Sequence, residues 1–305
     1  MPDRKRLLVT GASGFVGTHV AAGVRQGLFG EGIEMIGTPT GWDVRDAHAV
    51  GAWIAESAPT VVIHLAAQSF VPLSFEAPRE TFDINLGGTL NLLQALRSVN
   101  FGGRFLYVSS GDIYGRVPDA ALPVNELRAP EPRSPYAVSK WAAEQLCLQW
   151  HRSEGMDVVI ARPFNHIGPG QDRRFALPSL ATQIIACHEG RQDAVHVGNI
   201  EISRDFTDVR DVVGAYARLI SLGLSGQTYV VGSGVERPLR SILQEMCRIV
   251  GIDPPILQDP SRLRGGEQTR MCADPARLRA DTGWVAVIPF DVTLSDIITD
   301  ARNNQ

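Results

Sequence analysis

The sequence predicts an α/β chain: a doubly wound parallel sheet followed by a smaller C-terminal α/β domain. Three observations predict it. Short runs rich in Val, Ile and Leu alternate with helical patterns through the first 163 residues, these runs are apolar on both faces, and the pattern changes after Pro163. A strand that is apolar on both faces belongs in a parallel sheet covered by helices on either side.

In chain order, residues 6–10 form the first strand, followed by a glycine-rich turn and helical character over 20–26. Strand 34–37 precedes helix 47–56, strand 61–66 precedes helix 81–98, and strand 104–109 precedes helix 136–153. Strand 157–162 closes this repeated β-α-β series. Residues 165–172 are dense in Gly, Pro and polar side chains, and a helix-like stretch covers 179–189. Residues 204–220 read as one more strand and helix, 228–231 as a strand and 240–251 as a helix. The expected division is a dinucleotide-binding domain over 1–163, with a return segment near 204–222, and a discontinuous second domain over 164–305.

With 305 residues the chain can bury a substantial core. Its 29 basic against 33 acidic residues leave a net charge of -4, which disfavours nucleic acid as a partner. No apolar run approaches the roughly 20 residues needed to cross a bilayer, so no membrane association and a cytoplasmic location are expected. Cys147, Cys187, Cys247 and Cys272 are scattered without a Cys-x-x-Cys pair and read as reduced structural thiols. The seven histidines form no ligand-spaced pair, and no metal is expected.

The turn Thr10-Gly11-Ala12-Ser13-Gly14-Phe15-Val16-Gly17 follows the first strand directly and opens the first helix. Gly11 allows a tight turn, Gly14 lets the backbone approach a pyrophosphate, and Gly17 allows close helix packing, while the helix N-terminus attracts phosphate. In that setting the turn, Ser13, Phe15 and Val16 included, predicts a dinucleotide site on a Rossmann sheet. An acidic residue about 20 positions on would mark NAD, but the second strand ends in Ile36-Gly37-Thr38, with neither an acid nor an arginine. NADP(H) is therefore preferred and NAD(H) remains possible. Asp43 and Val44 fit an adenine-facing loop, with Asp46 available as a helix N-cap. Leu65, Ala66 and Ala67 end a strand where small side chains permit close approach to a cofactor, and Asn85 reads as a polar helix residue.

Tyr136 and Lys140 lie four residues apart on one helix, so a phenol and an ammonium share a face. A free tyrosine titrates near pH ~10, and each unit of downward shift needs about 1.4 kcal/mol of preference for phenolate. Lys140 is placed to supply it.

Together with the glycine turn, His64-Leu65-Ala66-Ala67, the stretch from Asn85 to Asn91, Ser109-Ser110-Gly111-Asp112-Ile113-Tyr114-Gly115 and Tyr136-x-x-x-Lys140 stand in the order seen in extended short-chain dehydrogenases. The chain resembles that family over nearly its whole length. The resemblance implies that Ser110 hydrogen-bonds a substrate oxygen with Ser109 in support, that Tyr136 is the acid/base, that Lys140 binds the nicotinamide ribose, and that Pro163 lines the nicotinamide. In dehydratases of this family an acid stands beside the catalytic Ser or Thr; here the positions hold Gly111 and Asp112, so carbonyl reduction is expected instead. Asp112 either orients substrate or caps the turn.

Residues 162–171, 203–211 and 259–267 resemble segments of GDP-6-deoxy-4-keto-D-mannose reductases, which form GDP-D-rhamnose. By that resemblance Asn165 and Arg204 hold the sugar nucleotide, and Arg264 and Glu267 bind the GDP portion. The substrate would be a GDP-linked 4-keto-6-deoxyhexose. Otherwise Arg204 and Asp205 are a surface ion pair and 264–267 a loose loop. The resemblance also implies a homodimer through helices 90–98 and 136–150. Trp141, Cys147 and Leu148 then form an outward apolar surface, or else they pack in the core.

Overall fold

The computed structural model describes residues 5–262 and 268–304. Six strands, β1 (Lys5–Thr10), β2 (Ile33–Ile36), β3 (Val61–His64), β4 (Arg104–Val108), β5 (Asp157–Pro163) and β9 (Thr228–Val231), pair in parallel in the order β2-β1-β3-β4-β5-β9. Helices α1 (Phe15–Arg25) and α8 (Val209–Leu222) cover one face, burying Val20, Val212, Val213 and Tyr216 against Val9, Leu106 and Val159. Helices α2 (Ala47–Ser57), α5 (Gly88–Ser98) and α6 (Pro135–Glu154) cover the other, burying Ile54, Leu92, Leu96, Ala143 and Cys147 against Leu8, Val62 and Phe105. Each fully buried Leu, Ile, Val or Phe contributes about 1.5–3 kcal/mol, which explains the apolar character of both strand faces. The chain leaves β1 for β2 on one side, and β3 pairs on the other. The crevice beyond the C-terminal ends of β1 and β3 is therefore the topological switch point at which such sheets bind ligands.

After β5 the chain enters a second layer. There β8 (Ser203–Asp208) runs between β10 (Glu236–Pro238) and β12 (Arg270–Met271), with β6 (Asn165–Ile167) paired to it in parallel. A small pair joins β7 (Val195–Val197) to β11 (Ile256–Gln258). Helices α7 (Ala176–His188), α9 (Leu239–Val250) and α11 (Phe290–Asn303) enclose a separate core around Leu180, Ile184, Leu243, Met246, Leu294 and Ile298. The Asp205 carboxylate is wholly buried and knits this layer to the main sheet, accepting from Ser233 N at 3.0 Å, Gly234 N at 2.8 Å and Ala273 N at 3.2 Å. A surface ion pair between Arg204 and Asp205 is thus excluded.

The helix expected over 81–98 is interrupted. Helix α4 (Pro78–Phe82) gives way to a π-helical turn, Asp83–Gly87, before α5 begins. Further short elements, α3 (Val71–Glu76) and α10 (Ala276–Thr282), with β6, β7 and β10 to β12, carry too few residues for a periodic signal. Cys147 lies in the core between α6 and the sheet, and Trp141 and Leu148 are half-buried against neighbouring cores. Core packing, not an outward surface, explains Cys147. All four cysteines are free thiols.

Candidate active site

The glycine turn lies at the switch point. Gly11 has φ +72°, and a Cβ there would sit 3.0 Å from the Ala66 nitrogen. Gly17 faces the turn so closely that a Cβ would come within 2.4 Å of the Gly11 oxygen and 2.6 Å of the Ala12 Cα. Gly14 caps α1 with no side-chain hydrogen bond, so among the described residues no side chain caps the start of the helix, and Ser13 and Gly14 are exposed. A bare, positively polarised helix end with glycine and alanine backbone against it fits a diphosphate. Phe15 and Val16 begin the helix and are half-buried. Asp46 caps α2, accepting from His48 N and Ala49 N at 3.0 Å. Asp43 is gripped by the Arg45 guanidinium, with Nε at 3.0 and 2.9 Å from its two oxygens, and that pairing holds its carboxyl below the usual range. Val44 is buried, and its carbonyl accepts from Asn91 Nδ2 at 3.0 Å.

Behind the turn runs a chain of buried hydrogen bonds whose polarity follows from its ends. Ala66 N donates to Thr10 Oγ1 at 3.2 Å, and Thr89 Oγ1 donates to the Asn85 carbonyl at 2.6 Å. Thr10 Oγ1 therefore donates to His64 Nδ1 at 2.7 Å, and His64 Nε2–H donates to Thr89 Oγ1 at 3.0 Å. Burial, aided by the charge of Lys140, depresses the His64 pKa to about 3, so this neutral tautomer persists across physiological pH. Asn85, at the π turn, accepts from Gln68 N at 2.8 Å and donates to Ser139 Oγ at 2.9 Å, which donates to the Tyr136 carbonyl at 2.8 Å. Asn85 is therefore a buried link between the Ala66–Ala67 strand end and α6, not a plain polar helix residue. π-helical turns commonly mark functional sites.

Tyr136 and Lys140 are buried one turn apart on α6, with Ser110 buried near the Tyr136 phenol. Ser110 also caps the 3₁₀ turn Gly111–Tyr114 by accepting from Asp112 N at 3.1 Å, so the turn cap is Ser110. Burial first, and the Asp112 carboxylate second, push the Tyr136 phenol upward, with the Ser110 hydrogen bond opposing them. The Lys140 Nζ lies over the Tyr107 ring, 4.7 Å from the centroid. Burial lowers Lys140 itself to about 8. Ser109 is buried, and its hydroxyl finds no partner among the described residues.

Among the substrate candidates, Asn165 is exposed at the start of β6, directly after Pro163 and Phe164 at the end of β5. Arg204 donates to the carbonyls of Ser203 at 2.9 Å, Gln268 at 2.6 Å and Thr269 at 3.3 Å. Its guanidinium pins the segment leading to β12, so a substrate would have to share those donors. Arg264 and Glu267 lie outside the described residues. Two buried charges escaped sequence reasoning, Glu144 and Arg162. The available signal was an arginine in an otherwise apolar strand and an acid eight residues after Tyr136.

The family model for GDP-mannose 4,6 dehydratase matches residues 38–297. A GDP-6-deoxy-D-mannose reductase of Pseudomonas aeruginosa is 47% identical, with 97% of each chain covered. The structure of RMD from Pseudomonas aeruginosa complexed with NADPH superposes with a TM-score of 0.93 at 45% identity, covering 99% of this chain and 98% of that one. A dTDP-glucose 4,6-dehydratase of Mycolicibacterium smegmatis is 30% identical, over 98% of this chain and 94% of its own.

Proposed function

The chain belongs to the GDP-mannose 4,6-dehydratase family of extended short-chain dehydrogenases, and from that membership we propose that it is an NADPH-dependent reductase converting GDP-4-dehydro-6-deoxy-D-mannose to GDP-D-rhamnose. The single observation that favours reduction over dehydration is at Gly111. A Cβ there would lie 2.9 Å from Cδ2 of the Phe164 ring, so the position beside Ser110 has no room for a proton-transferring side chain. Elimination of water needs an additional base and acid at the sugar, whereas reduction needs one proton at one oxygen.

Bound NADPH supplies the hydride that converts the C4 carbonyl carbon to a carbinol. Gly11, Ser13, Gly14, Phe15, Val16 and Gly17 would hold its diphosphate and Asp43 and Val44 its adenosine. Leu65, Ala66, Ala67 and Pro163 would line its path, and Lys140 would bind the nicotinamide ribose. Tyr136, kept protonated by its buried setting, gives its proton to O4, and Ser110 fixes that oxygen by a second hydrogen bond. Ser109, Asp112, Asn165 and Arg204 would contact the sugar diphosphate. In this reading the main sheet serves the cofactor and the layer built on β6, β8 and β10 serves the sugar nucleotide.

No helix among the described residues is long and apolar enough to cross a membrane. The half-exposed Leu90, with half-buried Trp141, Leu146 and Leu148, supports a homodimer through α5 and α6. The test is to supply GDP-mannose or the 4-keto-6-deoxy sugar nucleotide, with NADPH and NADH in parallel. NADPH oxidation with the keto sugar alone is the expected outcome, and conversion of GDP-mannose would overturn the assignment.

A further inference from the structure

Tyr136, Lys140 and Glu144 stand at intervals of four on α6, forming one buried stripe. Glu144, with no exposure at all, is held by Arg162 through a two-pronged contact, Nη2 to Oε1 at 2.6 Å and Nε to Oε2 at 3.1 Å. The remaining arm, Nη1, donates to the Tyr114 hydroxyl at 2.8 Å. Tyr114 ends the 3₁₀ turn that Ser110 begins, and Arg162 immediately precedes Pro163. The fork thus ties the turn that Ser110 begins, through Tyr114 and Arg162, to Glu144, two helical turns along α6 from Tyr136.

A buried ion pair is weak as a source of stability, because desolvation of both charges offsets their attraction and an apolar pair of similar volume does as well or better. Its stronger use is geometric, since a guanidinium fork admits one arrangement of its acceptors. We infer that Glu144, Arg162 and Tyr114 are positioning residues, a fork that sets the distance between the Ser110 and Tyr136 hydroxyls and aligns both with the floor of the site at Pro163. The inference rests on the catalytic roles proposed for Ser110, Tyr136 and Lys140.

The fork also has an electrostatic consequence. Arg162 takes both oxygens of Glu144, so the carboxylate reaches Lys140 only through space and the ammonium stays available to the ribose. The titratable groups facing Lys140 are Tyr107 on β4, His64 on β3, and Glu144 and Cys147 on its own helix, with Tyr136 one turn away on that helix. Of these, Glu144 and Cys147 raise its pKa against burial. Removing the Glu144 charge therefore moves proton loss from Lys140 toward lower pH.

The experiment compares Tyr114→Phe, the apolar pair Glu144→Leu with Arg162→Met, and Tyr136→Phe in one keto-sugar assay, with NADPH titration by fluorescence as the check on folding. Tyr114→Phe keeps both charges and should lower kcat roughly tenfold, with KM within about threefold and the basic limb of the pH profile unmoved. The apolar pair should bind NADPH, lose on the order of a hundredfold in kcat, and show its basic limb at lower pH. Wild-type kcat and pH profile in a pair variant that binds NADPH, with Tyr136→Phe inactive, would overturn the positioning role alone. Full activity in Tyr136→Phe would overturn both that role and the catalytic assignment beneath it.

Discussion

Tyr136→Phe should leave NADPH binding within about threefold of wild type while kcat on the keto sugar falls by a factor of roughly 10³, inside the 10²–10⁴ range of a lost general acid. That factor corresponds to about 4 kcal/mol of transition-state stabilisation. The substitution removes one hydroxyl from a buried side chain whose ring already packs in the site, so the fold has little reason to change. KM should also hold, because the proton moves only as the carbonyl is reduced. Parallel steady-state kinetics and fluorescence titration measure both quantities, and equal losses in binding and turnover would point to a structural role for the phenol.

The second large effect is expected at Gly17→Ala. The added Cβ would stand 2.4 Å from the Gly11 oxygen and 2.6 Å from the Ala12 Cα, both backbone atoms of the turn that receives the diphosphate. No side-chain rotation relieves such a contact, so the helix must move from the turn or the turn must open. Overpacking of this kind costs about 1–3 kcal/mol in stability. The displaced N–H groups should weaken NADPH at least a hundredfold, about 2.7 kcal/mol. Thermal denaturation with and without NADPH separates the two effects: the variant should melt lower and gain almost nothing from cofactor. An unchanged Kd for NADPH would show that the turn does not carry the diphosphate.

Both of those residues were legible in the sequence because their signals are local. A glycine turn between a strand and a helix, and a tyrosine and lysine one helical turn apart, are patterns within seven residues. The parallel sheet was equally legible, since each strand declares itself by apolar side chains on both faces. What remained hidden depends on distant partners. Asn85 gains its meaning from Ser139, 54 residues away, and Arg204 from carbonyls 64 and 65 residues away. Glu144 looks like any acid on a helix until β5 brings Arg162 beside it. The break in helix 81–98 was hidden because a π turn keeps helical composition while shifting the register by one residue. The contact between the Lys140 ammonium and the Tyr107 ring was hidden for a related reason, as Tyr107 stands on another strand.

Reduction at sugar C4 with Tyr136 as acid is tested with GDP-4-dehydro-6-deoxy-D-mannose and NADPH deuterated at the transferable position of the nicotinamide, with the product read by mass and NMR. The expected product carries one deuterium per molecule, located at C4, in a sugar with the D-rhamno configuration. Deuterium at any other carbon, or a keto sugar left intact while GDP-mannose is dehydrated, would contradict it.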